Sequence, residues 1–152
     1  LNQNIFKDYI QPPGRGNLKK IKFKNKTIQL LDESYNSNPL SLKFSIEKFN
    51  KIETKHTKYL LLGDMLELGK FAKKLHSDIA NNINKTQISK VYVYGKDILY
   101  TFNKLRTQKR GKILKSKSEV LKFINNEINN NDYLMVKGSN STGLNEIIKK
   151  LN

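Results

Sequence analysis

Cysteine is absent from the 152 residues, and arginine occurs only three times. Without cysteine the chain can form neither a disulfide nor a thiolate metal site, a composition that suits a reducing cytosol. The sequence has no apolar run of about 18 residues, so we expect no membrane-spanning helix. It also has no charged-then-apolar leader, so we expect no secretory signal. The length predicts one domain with a substantial core.

The net charge of +16 raises the hypothesis of a nucleic-acid-binding protein. Two observations argue against it. The arginines that would read bases and phosphates are restricted to Arg15, Arg106 and Arg110. The many lysines are spread along the whole chain rather than massed in one block. A basic nucleic-acid-binding or nucleotide-binding α/β module therefore stays as the alternative hypothesis, and it predicts an affinity that falls steeply with salt.

Short apolar runs at residues 58–63, 91–95 and 133–136 are typical of strands buried on both faces of a parallel sheet. Apolar residues at helical spacing separate these runs. Polar–apolar alternation on both sides of Asn25-Lys26 predicts a hairpin that precedes them. The pattern predicts an α/β fold: a Rossmann-like, mostly parallel sheet with flanking helices and an antiparallel N-terminal hairpin strand.

Polar loops follow three of the predicted strands. They read DESYNSNP at 32–39, GDMLELG at 63–69 and KGSNSTG at 137–143. Because ligands bind at the carboxyl ends of strands in open α/β sheets, we expect these loops to form one site. The third loop has free NH groups at a helix start and a lysine, which suits a carboxylate or phosphate. It is neither a Walker A loop nor a G-x-G-x-x-G fingerprint.

Each loop also has a purely structural interpretation. Asn38 and Pro39 are typical of a capped helix start. Asp64 and Glu67 are two carboxylates that could hold a cation or act as acid and base, or could simply be solvated. His76 has no second histidine at metal-binding spacing, which favours a structural role. No Ser-His-Asp arrangement can be argued from these residues.

Together with Gly14-Arg15-Gly16, the loops resemble the C-terminal domain of the bacterial Mur ligases. The family pattern is similar to GRG at 14–16, DESYNSNP at 32–39, GDMLELG at 63–69 followed by a histidine at 76, and KGS at 137–139. The pattern is most similar in members that add D-Ala-D-Ala to UDP-MurNAc-tripeptide. The resemblance covers residues 14–152 and implies that residues 1–13, which end in Pro12-Pro13, are a linker from a missing upstream domain.

The resemblance implies an ATP-dependent, amide-bond-forming ligase of cytoplasmic peptidoglycan synthesis in bacteria. ATP and Mg²⁺ are then bound mainly by a missing central domain, with the N-terminal domain holding the UDP end. The domain seen in this sequence closes over the nucleotide and receives the incoming D-Ala-D-Ala. It holds no catalytic residue and no metal ligand of its own, and alone it is expected to be inactive.

The resemblance also implies roles for individual positions. Those implied to bind the nucleotide are Arg15, Glu33, Tyr35, Asn36 and Asn38. Those implied to bind the D-Ala-D-Ala substrate are Lys137, Gly138 and Ser139. Those that match the family without a defined role, and could shape the pocket, are Asp64, Glu67 and His76. Two departures stand out: Glu33 replaces the usual aspartate, and SNSTG replaces a more basic segment after Lys137-Gly138.

Overall fold

The structure, a computed structural model, describes residues 16–151. The predicted linker at 1–13 and Arg15 lie outside the described residues. The strands are β1 (Leu18–Phe23), β2 (Lys26–Glu33), β3 (Lys58–Gly63), β4 (Lys90–Tyr94), β5 (Arg110–Leu114) and β6 (Tyr133–Lys137). The helices are α1 (Pro39–Asn50), α2 (Ala72–Asn84), α3 (Ile98–Lys104), α4 (Lys117–Glu127) and α5 (Leu144–Lys149). Short 3₁₀ turns lie at Gly69–Phe71, Thr107–Lys109 and Asn140–Thr142.

The six strands form one sheet in the order β1-β2-β6-β3-β4-β5. The β1–β2 pair is antiparallel and every other pair is parallel. The predicted α/β fold, with a mostly parallel sheet, flanking helices and an antiparallel N-terminal hairpin strand, is therefore confirmed.

Alternate side chains of the central strands build two cores, one on each face of the sheet. Leu60 and Leu62 of β3 pack with α1, α2 and α3, whereas Tyr59 and Leu61 pack with α4 and α5. Every residue of β3 is buried. This is why the strand reads as a continuous apolar run rather than as an alternation.

The hairpin prediction was wrong by one residue at its turn. Phe23 pairs with Lys26, so the two-residue turn is Lys24-Asn25 rather than Asn25-Lys26. Lys26 belongs to β2, and its ammonium donates to the carbonyls of Ile124 and Asn125 at the C-terminus of α4 (2.6 and 2.7 Å). Burial lowers the pKa of this lysine, and its partners lie about one hundred positions away, beyond the reach of local pattern.

Helix α2 buries one face, and a histidine lies on that face. Phe71 precedes the helix and is 56% exposed. The buried face consists of His76, Ile79, Ala80 and Ile83. A histidine therefore occupies the core position next to the loop after β3. Within residues 16–151, no helix is long and apolar enough to span a membrane.

Candidate functional site

Strand β6 lies between β2 and β3, so the loops that follow these three strands are neighbours. The helix after β2 and the helix after β6 pack on opposite faces of the sheet, which opens a crevice at the strand ends. A cavity of about 560 Å³ lies there. Its lining residues are Tyr35, Asn36, Ser37, Asn38, Leu66, Glu67, Leu68, Ser139, Asn140 and Ser141. The prediction that the three loops gather at one edge is confirmed.

The turn after β2 is ordered by its own side chains. Oδ1 of Asp32 accepts hydrogen bonds from the backbone N and the hydroxyl of Ser34 (3.1 and 2.5 Å). Oδ1 of Asn38 accepts from Ser41 N (2.9 Å), and Ser41 Oγ accepts from Asn38 N (3.1 Å), a complete capping box. The capping role of Asn38 is confirmed, whereas its contact with a nucleotide stays a prediction. Tyr35 stands 42% exposed at the rim.

Ser37 is a residue of this turn that sequence reasoning missed. Its side chain is 3% exposed, and its hydroxyl oxygen has no hydrogen-bond partner in the described part of the chain. A buried hydroxyl without a partner costs free energy, about 1–3 kcal/mol for a typical polar group. Ser37 is also one of the residues that line the cavity.

Asp64 and Glu67, predicted as a possible pair of carboxylates, have separate environments. The carboxylate of Asp64 accepts hydrogen bonds from Lys96 N (3.0 Å) and Ile98 N (2.8 Å), which ties the loop after β3 to the start of α3. Glu67 is exposed and lines the cavity of about 560 Å³, called the first cavity below. Asp64 does not line this cavity. In residues 16–151 no three His, Cys, Asp or Glu side chains are placed to hold a metal ion.

The backbone at Glu67 supports a stability prediction. Its φ is +61°, a left-handed conformation that glycine adopts without strain. We expect Glu67→Gly to raise the free energy of unfolding by about 0.5 kcal/mol, measured by urea denaturation. Glu53, an exposed loop glutamate without a positive φ, is the matched control, and Glu53→Gly should lower stability. Destabilisation of similar size in both variants would contradict the argument.

His76 of α2 holds the loop after β3 through a hydrogen bond. The imidazole is fully buried; its Nε2 accepts a hydrogen bond from Met65 N (3.0 Å) and its Nδ1 lies 2.7 Å from Ala72 O. Since the amide of Met65 can only donate, Nε2 is the acceptor and Nδ1 carries the proton donated to Ala72 O. These contacts support the structural interpretation of His76.

Lys137, Gly138 and Ser139 are all buried between the other two loops. The ammonium of Lys137 donates to Asn36 O (2.9 Å) and lies 3.7 Å from a carboxylate oxygen of Glu33. Ser139 Oγ accepts a hydrogen bond from Leu66 N (3.1 Å). A Cβ on Gly138 would lie 3.0 Å from the Cα of Gly63, so a side chain at this position would push the ends of β6 and β3 apart by a few tenths of an ångström. The KGS segment thus connects the loops on both sides of it.

A second cavity of about 510 Å³ lies on the other side of the loop after β3. It is lined by Asp64, Leu66, Tyr94, Gly95, Leu99, Ile113, Leu114, Lys115, Ser141 and Thr142. Leu66 and Ser141 line both cavities. Sequence reasoning did not single out Leu66, Asn140 or Ser141, because none of them is distinctive until the loops are placed side by side.

The family model described as "Mur ligase, glutamate ligase domain" matches residues 15–140. The chain belongs to this family. The match spans the turn after β2, the loop after β3 and the KGS segment, all of which border the first cavity. The resemblance on which the sequence predictions rested is therefore confirmed.

Curated relatives of this Mur ligase domain include enzymes named UDP-N-acetylmuramoyl-tripeptide–D-alanyl-D-alanine ligase. The one from Bacillus subtilis is 29% identical over 131 residues, covering 82% of this chain and 28% of the relative. The one from Rickettsia prowazekii is 27% identical over 148 residues, covering 97% of this chain and 32% of the relative. The chain spans about a third of the length of these relatives.

Solved structures agree on the fold of the Mur ligase domain. A MurF ligase from Thermotoga maritima in complex with ADP superimposes with a TM-score of 0.74 at 20% identity. The match covers 95% of this chain and 31% of that one. A MurF structure from Acinetobacter baumannii has a TM-score of 0.75, also at 20% identity, with the same two coverages.

Proposed function

We propose that the chain is the C-terminal domain of an ATP-dependent ligase that joins D-Ala-D-Ala to UDP-MurNAc-tripeptide in peptidoglycan precursor synthesis in the bacterial cytoplasm. In this reaction ATP phosphorylates the tripeptide carboxylate, and the amine of D-Ala-D-Ala displaces phosphate to form the amide. The domain closes over a nucleotide held mainly by a central domain and receives the dipeptide. The N-terminal and central domains of the same enzyme are its partners.

One observation carries this proposal: three loops that match a Mur ligase family line a single cavity. The curated relatives carry the name of this ligase. On the side of β2 the cavity is lined by Tyr35, Asn36 and Asn38. On the side of β6 it presents the polar loop at 139–141. Two polar walls suit a site between two substrates.

The described residues fit part of a nucleotide and not a metal ion. Phenol, amide and hydroxyl groups can bond the hydroxyls of a ribose or the edge of a base. No Mg²⁺ ligand set converges in residues 16–151. The proposal therefore gives these residues the task of binding and orienting the nucleotide and excluding water. Mg²⁺ and the triphosphate belong to the central domain.

The test is an assay of the full-length protein with ATP, Mg²⁺, UDP-MurNAc-tripeptide and D-Ala-D-Ala. We expect phosphate release that requires both peptide substrates, and mass spectrometry should find the UDP-MurNAc-pentapeptide. Tyr35→Ala should raise the KM for ATP by about tenfold, because a rim side chain facing the nucleotide is lost. Phe44→Ala, which removes an exposed side chain of α1 that does not line the cavity, is the control.

Two results would overturn the proposal. One is a full-length gene that encodes no P-loop domain upstream of this chain. The other is the absence of pentapeptide in an assay in which the protein is folded. The nucleic-acid alternative rests on net charge alone and would require salt-dependent binding to DNA or RNA.

A further inference from the structure

Lys137 is the last residue of the central strand β6 and is almost inaccessible to solvent. It pairs in register with Glu33 of β2 on one side and with Leu62 of β3 on the other. Only 3% of the residue is exposed, and it is not among the residues that line the first cavity. Burial lowers the pKa of its ammonium, while the nearby carboxylate of Glu33 acts in the opposite direction. An ammonium kept in such a place must be held by acceptors of the protein.

Both described partners of this ammonium belong to β2 and the turn that follows it. Lys137 Nζ donates to Asn36 O (2.9 Å) and lies 3.7 Å from Glu33 Oε2. The other carboxylate oxygen of Glu33 lies next to Gly16, because a Cβ placed on this glycine would come within 2.6 Å of Oε1. Glu33 therefore lies between the backbone that enters β1 and the ammonium of β6.

Ser139 makes a parallel contact one residue further along the same turn. Its hydroxyl lies 3.4 Å from Ser37 O, next to the carbonyl that Lys137 holds. Two side chains of the KGS segment thus anchor two successive carbonyls of the turn after β2. In contrast, Asn140 and Ser141 are exposed and line the cavity.

We propose that Lys137 is a positioning residue for the turn at 34–38, and that the dipeptide is contacted instead by Asn140 and Ser141. This inference rests on the proposed function and differs from the role that the family resemblance implies for Lys137. The ammonium fixes the Asn36 carbonyl and the Glu33 carboxylate, so that Tyr35 and Asn36 face the nucleotide in one arrangement. Its loss releases the turn, and the cost appears as weaker nucleotide binding, because the turn must be ordered each time ATP binds.

The experiment compares the KM values for the two substrates in the full-length enzyme. Lys137→Met keeps the length of the side chain and removes the charge. We expect it to raise the KM for ATP about tenfold and to change the KM for D-Ala-D-Ala less than about twofold. The double variant Asn140→Ala/Ser141→Ala should give the opposite split. A Lys137→Met enzyme whose KM rises for D-Ala-D-Ala and not for ATP would overturn the inference.

A second pair of variants covers the case in which Lys137→Met does not fold. Glu33→Gln keeps the shape of the side chain and removes the charge that faces the ammonium, and it should also raise the KM for ATP alone. Where both single variants fold, Lys137→Met/Glu33→Gln should be less impaired for ATP than the sum of the two, since no unpaired charge remains. An effect of Glu33→Gln on D-Ala-D-Ala alone would contradict the inference. Failure of the proposed function is distinct, because the unaltered enzyme would then make no pentapeptide.

Discussion

His76→Ala should lower the free energy of unfolding by about 3 kcal/mol, through lost buried hydrogen bonds and a cavity. The imidazole is fully buried and joins Met65 N to Ala72 O. Alanine leaves the amide of Met65 without an acceptor in a place that water does not reach. Urea denaturation followed by circular dichroism measures the change. The loop after β3 should also lose order, seen as faster amide exchange at Met65 and Leu66.

The other histidine supplies the control. His56 lies in the connector before β3 and is only partly buried, so His56→Ala should change stability by less than about 0.5 kcal/mol. His76→Gln, which can still accept a hydrogen bond, should recover part of the loss. Equal effects of the two alanine variants would mean that the buried bridge at His76 contributes nothing.

The fold was predictable from sequence because its signals are local. Continuous apolar runs such as 58–63 mark strands covered on both faces, and a run of this kind needs no knowledge of its partners. The Asn38-Pro39 helix start is equally local, and its capping box is complete. The meeting of three loops followed from topology, since the carboxyl ends of parallel strands share one edge.

What sequence could not predict depends on partners distant in the chain. Lys137 reaches a carbonyl 101 positions away and Lys26 reaches one 98 positions away. Local pattern showed neither contact: Lys26 is one of many lysines in a basic chain, and Lys137 was predicted to face an anion rather than a carbonyl of the protein. The burial of the Ser37 hydroxyl could not be predicted either, because a serine next to an N-cap is typical of an ordinary turn. Its environment appears only when β6 is placed next to β2.

Asp64→Ala should lower the free energy of unfolding by about 2 kcal/mol, because one carboxylate provides the cap of a helix in another part of the chain. Helix α3 has Asp97 at its N-cap position, yet this residue makes no side-chain capping bond. The amides of Lys96 and Ile98 donate instead to Asp64. Without this carboxylate the amides at the start of α3 lose their acceptors. The loop after β3, which lies between the two cavities, also loses its attachment to α3.

Asp97→Ala is the matched control, since it removes an aspartate from the nominal cap of the same helix. It should cost less than half as much as Asp64→Ala, because only its charge near the helix N-terminus is lost. Asp64→Asn should fall between the two, because its amide oxygen can keep one of the two hydrogen bonds. The side chain has little room to rearrange, since Gly95 lies so near that a Cβ placed on it would be 2.5 Å from Asp64 Oδ1. A larger loss at Asp97 than at Asp64 would show that α3 is capped by its own residue.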